Sequence, residues 1–170
     1  GTVLPEAGTN TLFFEHEINV GHLYVISPKV LNQLHFLVGH YDSQVHDLNE
    51  NPQLIVSGAF TGGGAQANSR RTEYHFDGTD IVTYTSGKQE IKFGVDVPDI
   101  SRRGFDDFTN QVGTYSFASL ADYTAAQPFS YLFQSGQGHV TFLEKTVAGI
   151  VEDTIRLRSN LSIAAGVRYY

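Results

Sequence analysis

Apolar and polar residues alternate along much of this chain with a period of two, which is the signature of strands that turn one face away from water. In NTLFFEHEINV, Leu12, Phe14, Ile18 and Val20 fall on one side, with Glu15, Glu17 and Asn19 on the other. VLNQLHFLVGHY sets Leu34, Phe36 and Val38 against Gln33, His35 and Gly39. Ile91, Phe93, Val95 and Val97 oppose Lys92, Gly94 and Asp96 in the same way. The last stretch alternates without error, with Leu161, Ile163, Ala165, Val167 and Tyr169 against Ser162, Ala164, Gly166, Arg168 and Tyr170. Only YTAAQ, Tyr123 to Gln127, reads as briefly helical. The fold class expected is therefore all-β, an antiparallel meander of long strands.

The connections are unequal. RTEYHFDGTDIVTYTSGKQEIKFGVDV reads as two strands joined at Ser86-Gly87, a tight-turn signal, with Asp77-Gly78 as a bulge or a second turn. Arg158-Ser159-Asn160 makes another minimal turn before the final strand. QLIVSGAF is a short strand leading into the glycine-rich TGGGAQANS. By contrast, the segment from about 98 to 138 reads as one long loop, because Pro98 has no N–H to give to a ladder. Short turns at one end, long loops at the other and strands of ~10 residues are the pattern of outer-membrane barrels.

Composition narrows the function. Seventeen per cent of the residues are charged, against a usual ~25%, and the formal net charge of −7 excludes a basic face for nucleic acid. With no Cys, no disulfide framework, thiolate zinc site or thiol nucleophile is available. No apolar run reaches the ~18 residues a membrane helix needs, which says nothing against a barrel, since barrels cross with strands. There is no Met, not even at the first position, and the sequence stops in mid-strand; the expectation is a single partial domain, residues 1–170, cut from a longer chain.

No motif points to catalysis. His35, His40 and His46 cluster in sequence but lack paired metal-ligand spacing, and His35 and His40 fall on opposite strand faces. TGGGAQANS lacks the Gly-Lys-Ser/Thr ending of a phosphate loop. Glu15 and Glu17 share a face at a spacing a glycosidase uses, but a polar barrel interior explains them equally. No cofactor is expected, and the chain reads as a non-enzyme.

SRRGFDDF is the most informative polar cluster. Arg102, Arg103, Asp106 and Asp107, with Phe105 between the pairs and Phe108 after them, have two readings. They face a ligand arriving from outside, or the charges form a clasp at a loop base against which the phenylalanines pack. The clasp is the favoured reading.

Taken in order, KFGVDVPDISRRGFDDFTN, GTYSFASLADY and VEDTIRLRSNLSIAAGVRYY resemble the barrel of TonB-dependent receptors, in particular the Oar-like branch. The matching positions are Lys92, Gly94 and Asp96; Gly113, Tyr115, Phe117 and Leu120; Glu152 and Asp153; Asn160 and Leu161; and Gly166, Arg168 and Tyr169. They span about Gln89 to Tyr170. Gln89 stands where the family more often has His, and the chain has no Trp. The resemblance implies a barrel of about 22 strands around a plug, with no plug domain in these residues. It also implies outer-membrane lipid, the plug and TonB as partners, and energy-coupled uptake of a bulky, unidentified ligand across the bacterial outer membrane. Two other architectures fit the alternation: a small eight-stranded barrel, in which first and last strands pair, and a secreted carbohydrate-binding β-sandwich.

Overall fold

The structure is a computed structural model and describes residues 1–170. The strands foreseen from the alternation are present and are longer than expected. β1 is Thr2–Val3, β2 Thr9–Ser27, β3 Val30–Asp47, β4 Gln53–Val56, β5 Phe60–Gly63, β6 Ser69–Ser86 and β7 Gln89–Asp107. β8 is Thr114–Phe117, followed by a helix α1, Leu120–Thr124, then β9 Ser130–Leu132, β10 His139–Arg158 and β11 Leu161–Tyr169.

The five long strands and β11 form one sheet in the order β11-β10-β7-β6-β3-β2, which leaves β2 and β11 as open edges. Tight turns at Pro28-Lys29, Gly87-Lys88 and Ser159-Asn160 join neighbours. Gly87 has φ +61°, the positive φ that two-residue hairpin turns demand. At 18 to 20 residues β2, β3, β6, β7 and β10 are about twice as long as the ~9–11 residues that cross a bilayer. The short strands form a second sheet, β1-β5-β4-β8-β9, with β1 parallel to β5 and β4 parallel to β8.

Several expectations are corrected. Pro98 does not end its strand, and residues 98–138 are not one loop: β7 continues to Asp107, and β8, α1 and β9 occupy the rest. One missing N–H does not stop a strand with neighbours on both sides. At its far end Asp107 still donates its N–H to the Gly138 carbonyl, and Phe108 donates to that of Asn68. Asp77-Gly78 is not a turn, since β6 runs through it. QLIVSGAF is a hairpin rather than one strand, turning at Gly58 with φ +72° and a bond from Ala59 N–H to the Val56 carbonyl. The helix lies slightly before YTAAQ, because Ser119 caps it: its Oγ accepts the N–H of Asp122.

By contact density the chain divides into two units. The first comprises 1–14, 41–72 and 103–141, and holds the small sheet. Here Val56 and Phe117 are almost fully buried, and Tyr123 of α1 sets its ring edge-on to Phe60 at 5.3 Å and to Phe117 at 5.4 Å. The second comprises 15–40, 73–102 and 142–170, which include the three tight turns. Ala148 is its one buried apolar side chain, while Ile18, Val38, Phe93, Val95, Val151, Ile163 and Val167 are all exposed.

Candidate functional site

In the second unit the polar side chains meet across strands. Glu17 Oε1 of β2 lies 3.4 Å from His75 Nε2 of β6, whose Nδ1 is 3.9 Å from Glu73 Oε1. Gly39 of β3 makes room for this imidazole, since a Cβ there would come within 2.2 Å of His75 Cε1. Lys92 of β7 lies 3.2 Å from Glu90 and 3.8 Å from Glu152 of β10. Arg168 of β11 is ion-paired with Asp96 of β7 and stacks on Tyr170, 4.8 Å from the ring centre. The alternate positions are apolar: Leu34, Phe36, Phe76, Val95 and Val97 line a groove of about 300 Å³. Alternation thus sorts this unit into one charged face and one apolar face.

The SRRGFDDF cluster runs along the end of β7 to Phe108 just beyond it, with residues 103–108 in the first unit. Asp106 pairs with His139 of β10, its Oδ1 2.5 Å from Nδ1, and His139 Nε2 lies 3.0 Å from Thr141 Oγ1. Asp107 accepts from Thr109 twice, from N–H at 3.0 Å and from Oγ1 at 2.7 Å. Those bonds, side chain first, hold its carboxyl below the usual carboxylate range. Phe105 and Phe108 remain exposed at 43% and 42%, so they do not pack beneath the loop. Arg102 is exposed in the second unit, and Arg103 half-buried in the first. Where these aspartates fasten chain, they do so through His139 and Thr109. His139 gave no sequence signal, being 33 residues from Asp106.

The same unit holds a cleft of about 510 Å³ whose walls include His46, Glu50, Arg70, Asp106 and Phe108. Arg70 grips Asp42 with Nε at 3.1 Å and Nη2 at 2.6 Å. One buried side chain orders the surrounding loops, and sequence reading missed it. Gln66, with φ +54°, donates from Nε2 to the Asn51 carbonyl at 2.9 Å. Its Oε1 accepts the N–H groups of Val112 at 3.0 Å and Gly113 at 3.1 Å. The glycines of TGGGAQANS serve close packing: a Cβ on Gly64 would meet the Asn51 carbonyl oxygen at 2.4 Å. The three histidines of the early sequence do not converge, and two of them have separate partners. His40 stacks on Tyr74 with ring centres 4.1 Å apart, and His46 Nε2 lies 3.1 Å from Gln44 Oε1.

A two-faced sheet of strands this long matches a known family over its whole length: the model of the outer membrane beta barrel domain covers residues 1–170. The chain belongs to that family. Its location is therefore the bacterial outer membrane. No curated protein matches the chain, and no solved structure does. As an outer-membrane barrel domain the chain has a reason for exposing so much apolar surface, since such barrels carry an outward apolar band and a polar interior.

Proposed function

We propose that this domain is part of the wall of a TonB-dependent receptor of the Oar-like branch, serving energy-coupled uptake of a bulky substrate rather than catalysis. The open edge of the large sheet carries the reading. Unpaired backbone groups at β2 and β11 are untenable in hydrocarbon, so further strands close the barrel, and a barrel with more strands is wide enough to hold a plug. The ion pairs between Lys92 and Glu152 and between Arg168 and Asp96 add support, since they join positions that match the receptor pattern. In this reading the apolar face meets lipid, the charged face meets the lumen and plug, and the first unit with its cleft meets the ligand.

The test uses the absence of cysteine. Ile18→Cys and Val167→Cys are introduced together into the protein in its native outer membrane. A receptor gives no disulfide between them, and in intact cells the protein crosslinks to TonB only while the inner membrane is energised. Disulfide formation in a product of about this length would replace the reading with the small closed barrel. A monomer soluble without detergent would replace it with the sandwich.

A further inference from the structure

At the tight-turn end of the second unit the charged face holds two cations without a partner. A recess of about 190 Å³ opens beside the Gly87-Lys88 turn, and its walls include Thr85, Lys88, Glu90, Thr154, Arg156 and Ser162. The sheet brings these side chains together from four strands and the turn. Arg156 of β10 donates its N–H to the Lys88 carbonyl at 2.8 Å, and Ser162 of β11 lies opposite Arg156. Thr154 and Glu152 precede Arg156 at alternate positions of β10, hence on the same face. Glu152 meets Lys92 there, so the recess belongs to the charged face. In an outer-membrane barrel that face is the interior, and short turns mark the periplasmic end. The recess therefore lies just inside the periplasmic mouth.

The cations of this face differ in what they meet. Lys92 has Glu90 at 3.2 Å and Glu152 at 3.8 Å, and Arg168 has Asp96. The side chains of Lys88 and Arg156 have no carboxylate or hydrogen-bond acceptor in reach, and the hydroxyls of Thr85, Thr154 and Ser162 bind nothing in the protein. The chain as a whole carries a net charge of −7. Two neighbouring cations left unmatched in such a chain, beside three idle hydroxyls, are a set of donors for an anion.

We propose that this recess binds a phosphate group, as the free ion or as the end of a larger solute. The donors set the shape of the ligand. They approach from β6, the turn, β10 and β11, which suits a tetrahedral oxyanion better than the two coplanar oxygens of a carboxylate. The guanidinium of Arg156 takes two phosphate oxygens side by side, and the Lys88 ammonium adds a compact charge. Glu90 sets the preference over sulfate. Its carboxylate, already matched by Lys92, accepts the O–H of hydrogenphosphate and repels sulfate, which carries no proton at neutral pH. The site stands whether the barrel belongs to a receptor or closes on its own.

The test is isothermal titration calorimetry of the detergent-purified protein with inorganic phosphate, sulfate and a sugar phosphate, at one ionic strength because salt screens such contacts. Folding of each variant is followed by its heat-dependent gel mobility. Wild type is expected to bind phosphate saturably and more tightly than sulfate. Lys88→Gln combined with Arg156→Gln weakens phosphate binding by about tenfold or more, as the loss of charge-assisted hydrogen bonds requires. Glu90→Gln narrows the preference over sulfate. Lys29→Gln, on the neighbouring turn but outside the recess, leaves binding unchanged. Tighter binding of the free ion assigns the ligand to inorganic phosphate, and tighter binding of the ester assigns it to a larger solute; either result upholds the site. Absence of saturable binding by wild type, or sulfate bound as tightly as phosphate, overturns it. So does an equal loss from Lys29→Gln, since diffuse positive charge at the turns would then account for the binding.

Discussion

Arg168 and Asp96 lie 72 residues apart in the chain and form an ion pair that reaches from β11 to β7 across the intervening β10. Asp96 is 9% exposed, so its charge is largely removed from water and depends on its partner. On β10 the residue opposite Arg168 is Ile150, and Ala148, two positions along the same face, is 1% exposed. A small side chain there leaves the guanidinium its path. Three strands are thereby tied by one side chain in addition to their ladders.

Removing the arginine leaves a nearly buried carboxylate without its counter-charge. Complete loss of a buried partner costs ~3–5 kcal/mol. Arg168 itself is 41% exposed at the side chain, so solvent screening lowers the expected loss for Arg168→Ala to about 1–3 kcal/mol. Asp96→Asn should cost less, since no buried charge remains. Urea unfolding in detergent or lipid vesicles measures both, and an arginine variant as stable as wild type would show the pair to be decorative.

The imidazole of His75 occupies the space that Gly39 leaves free. Alanine at 39 brings a Cβ to 2.2 Å from the ring, so the ring must move and its 3.4 Å contact with Glu17 is lost. Overpacking of this kind costs about 1–3 kcal/mol. If the clash is the cause, Gly39→Ala with His75→Ala should recover most of the loss. A double variant no better than the single one would assign the cost to glycine's backbone instead.

Much of this architecture was legible in the chain. Period-two patterning located β2, β3, β7 and β11, because a face in contact with one environment fixes residue type at each second position, while β6 and β10 are marked only by the tight turns that follow them. It also separates Lys92 and Asp96 from Phe93 and Val95. What escaped depended on neighbours distant in sequence. Pro98 reads as a stop, yet β7 has partners on both sides out to Asp107. Gln66 reads as one polar residue in a glycine-rich loop, yet it is buried and binds Asn51, Val112 and Gly113. The helix start is marked by the capping pair Ser119 and Asp122 rather than by the alanines of YTAAQ.

Asp107 predicts a pH response at the end of β7. The Thr109 side chain, then its backbone N–H, stabilise the ionised carboxylate and lower its pKa. For a lowered carboxyl, stability is fully present above the unfolded-state value of about 3.9 and is lost as pH falls through the folded-state value. Thr109→Val removes the hydroxyl bond and keeps the amide one, so the Asp107 titration should move upward toward 3.9. Carbon-13 NMR of the carboxyl reads this directly. A midpoint that stays in place would mean the hydroxyl does not hold the charge.

Gln66 offers the sharpest test of how the first unit is ordered. Its side chain joins three points of chain, accepting from Val112 and Gly113 and donating to Asn51, and it is 5% exposed. Gln66→Ala leaves two N–H groups unpaired in a poorly hydrated site, at about 1–3 kcal/mol for each buried group that water does not reach, while the Asn51 carbonyl keeps the N–H of Gly64. Those amides lie between β7 and β8, well separated from the large sheet's tight turns in sequence, so the damage should be local. Hydrogen exchange at Val112 and Gly113 should accelerate by about tenfold or more, as the loss of ~1.4 kcal/mol of local stability requires, while β10 and β11 stay protected around Ile155 and Ile163. Unchanged exchange at the two amides would mean that the backbone bonds from Asn110 to Gln66 and from Gln53 to Gly113 suffice to order the loops.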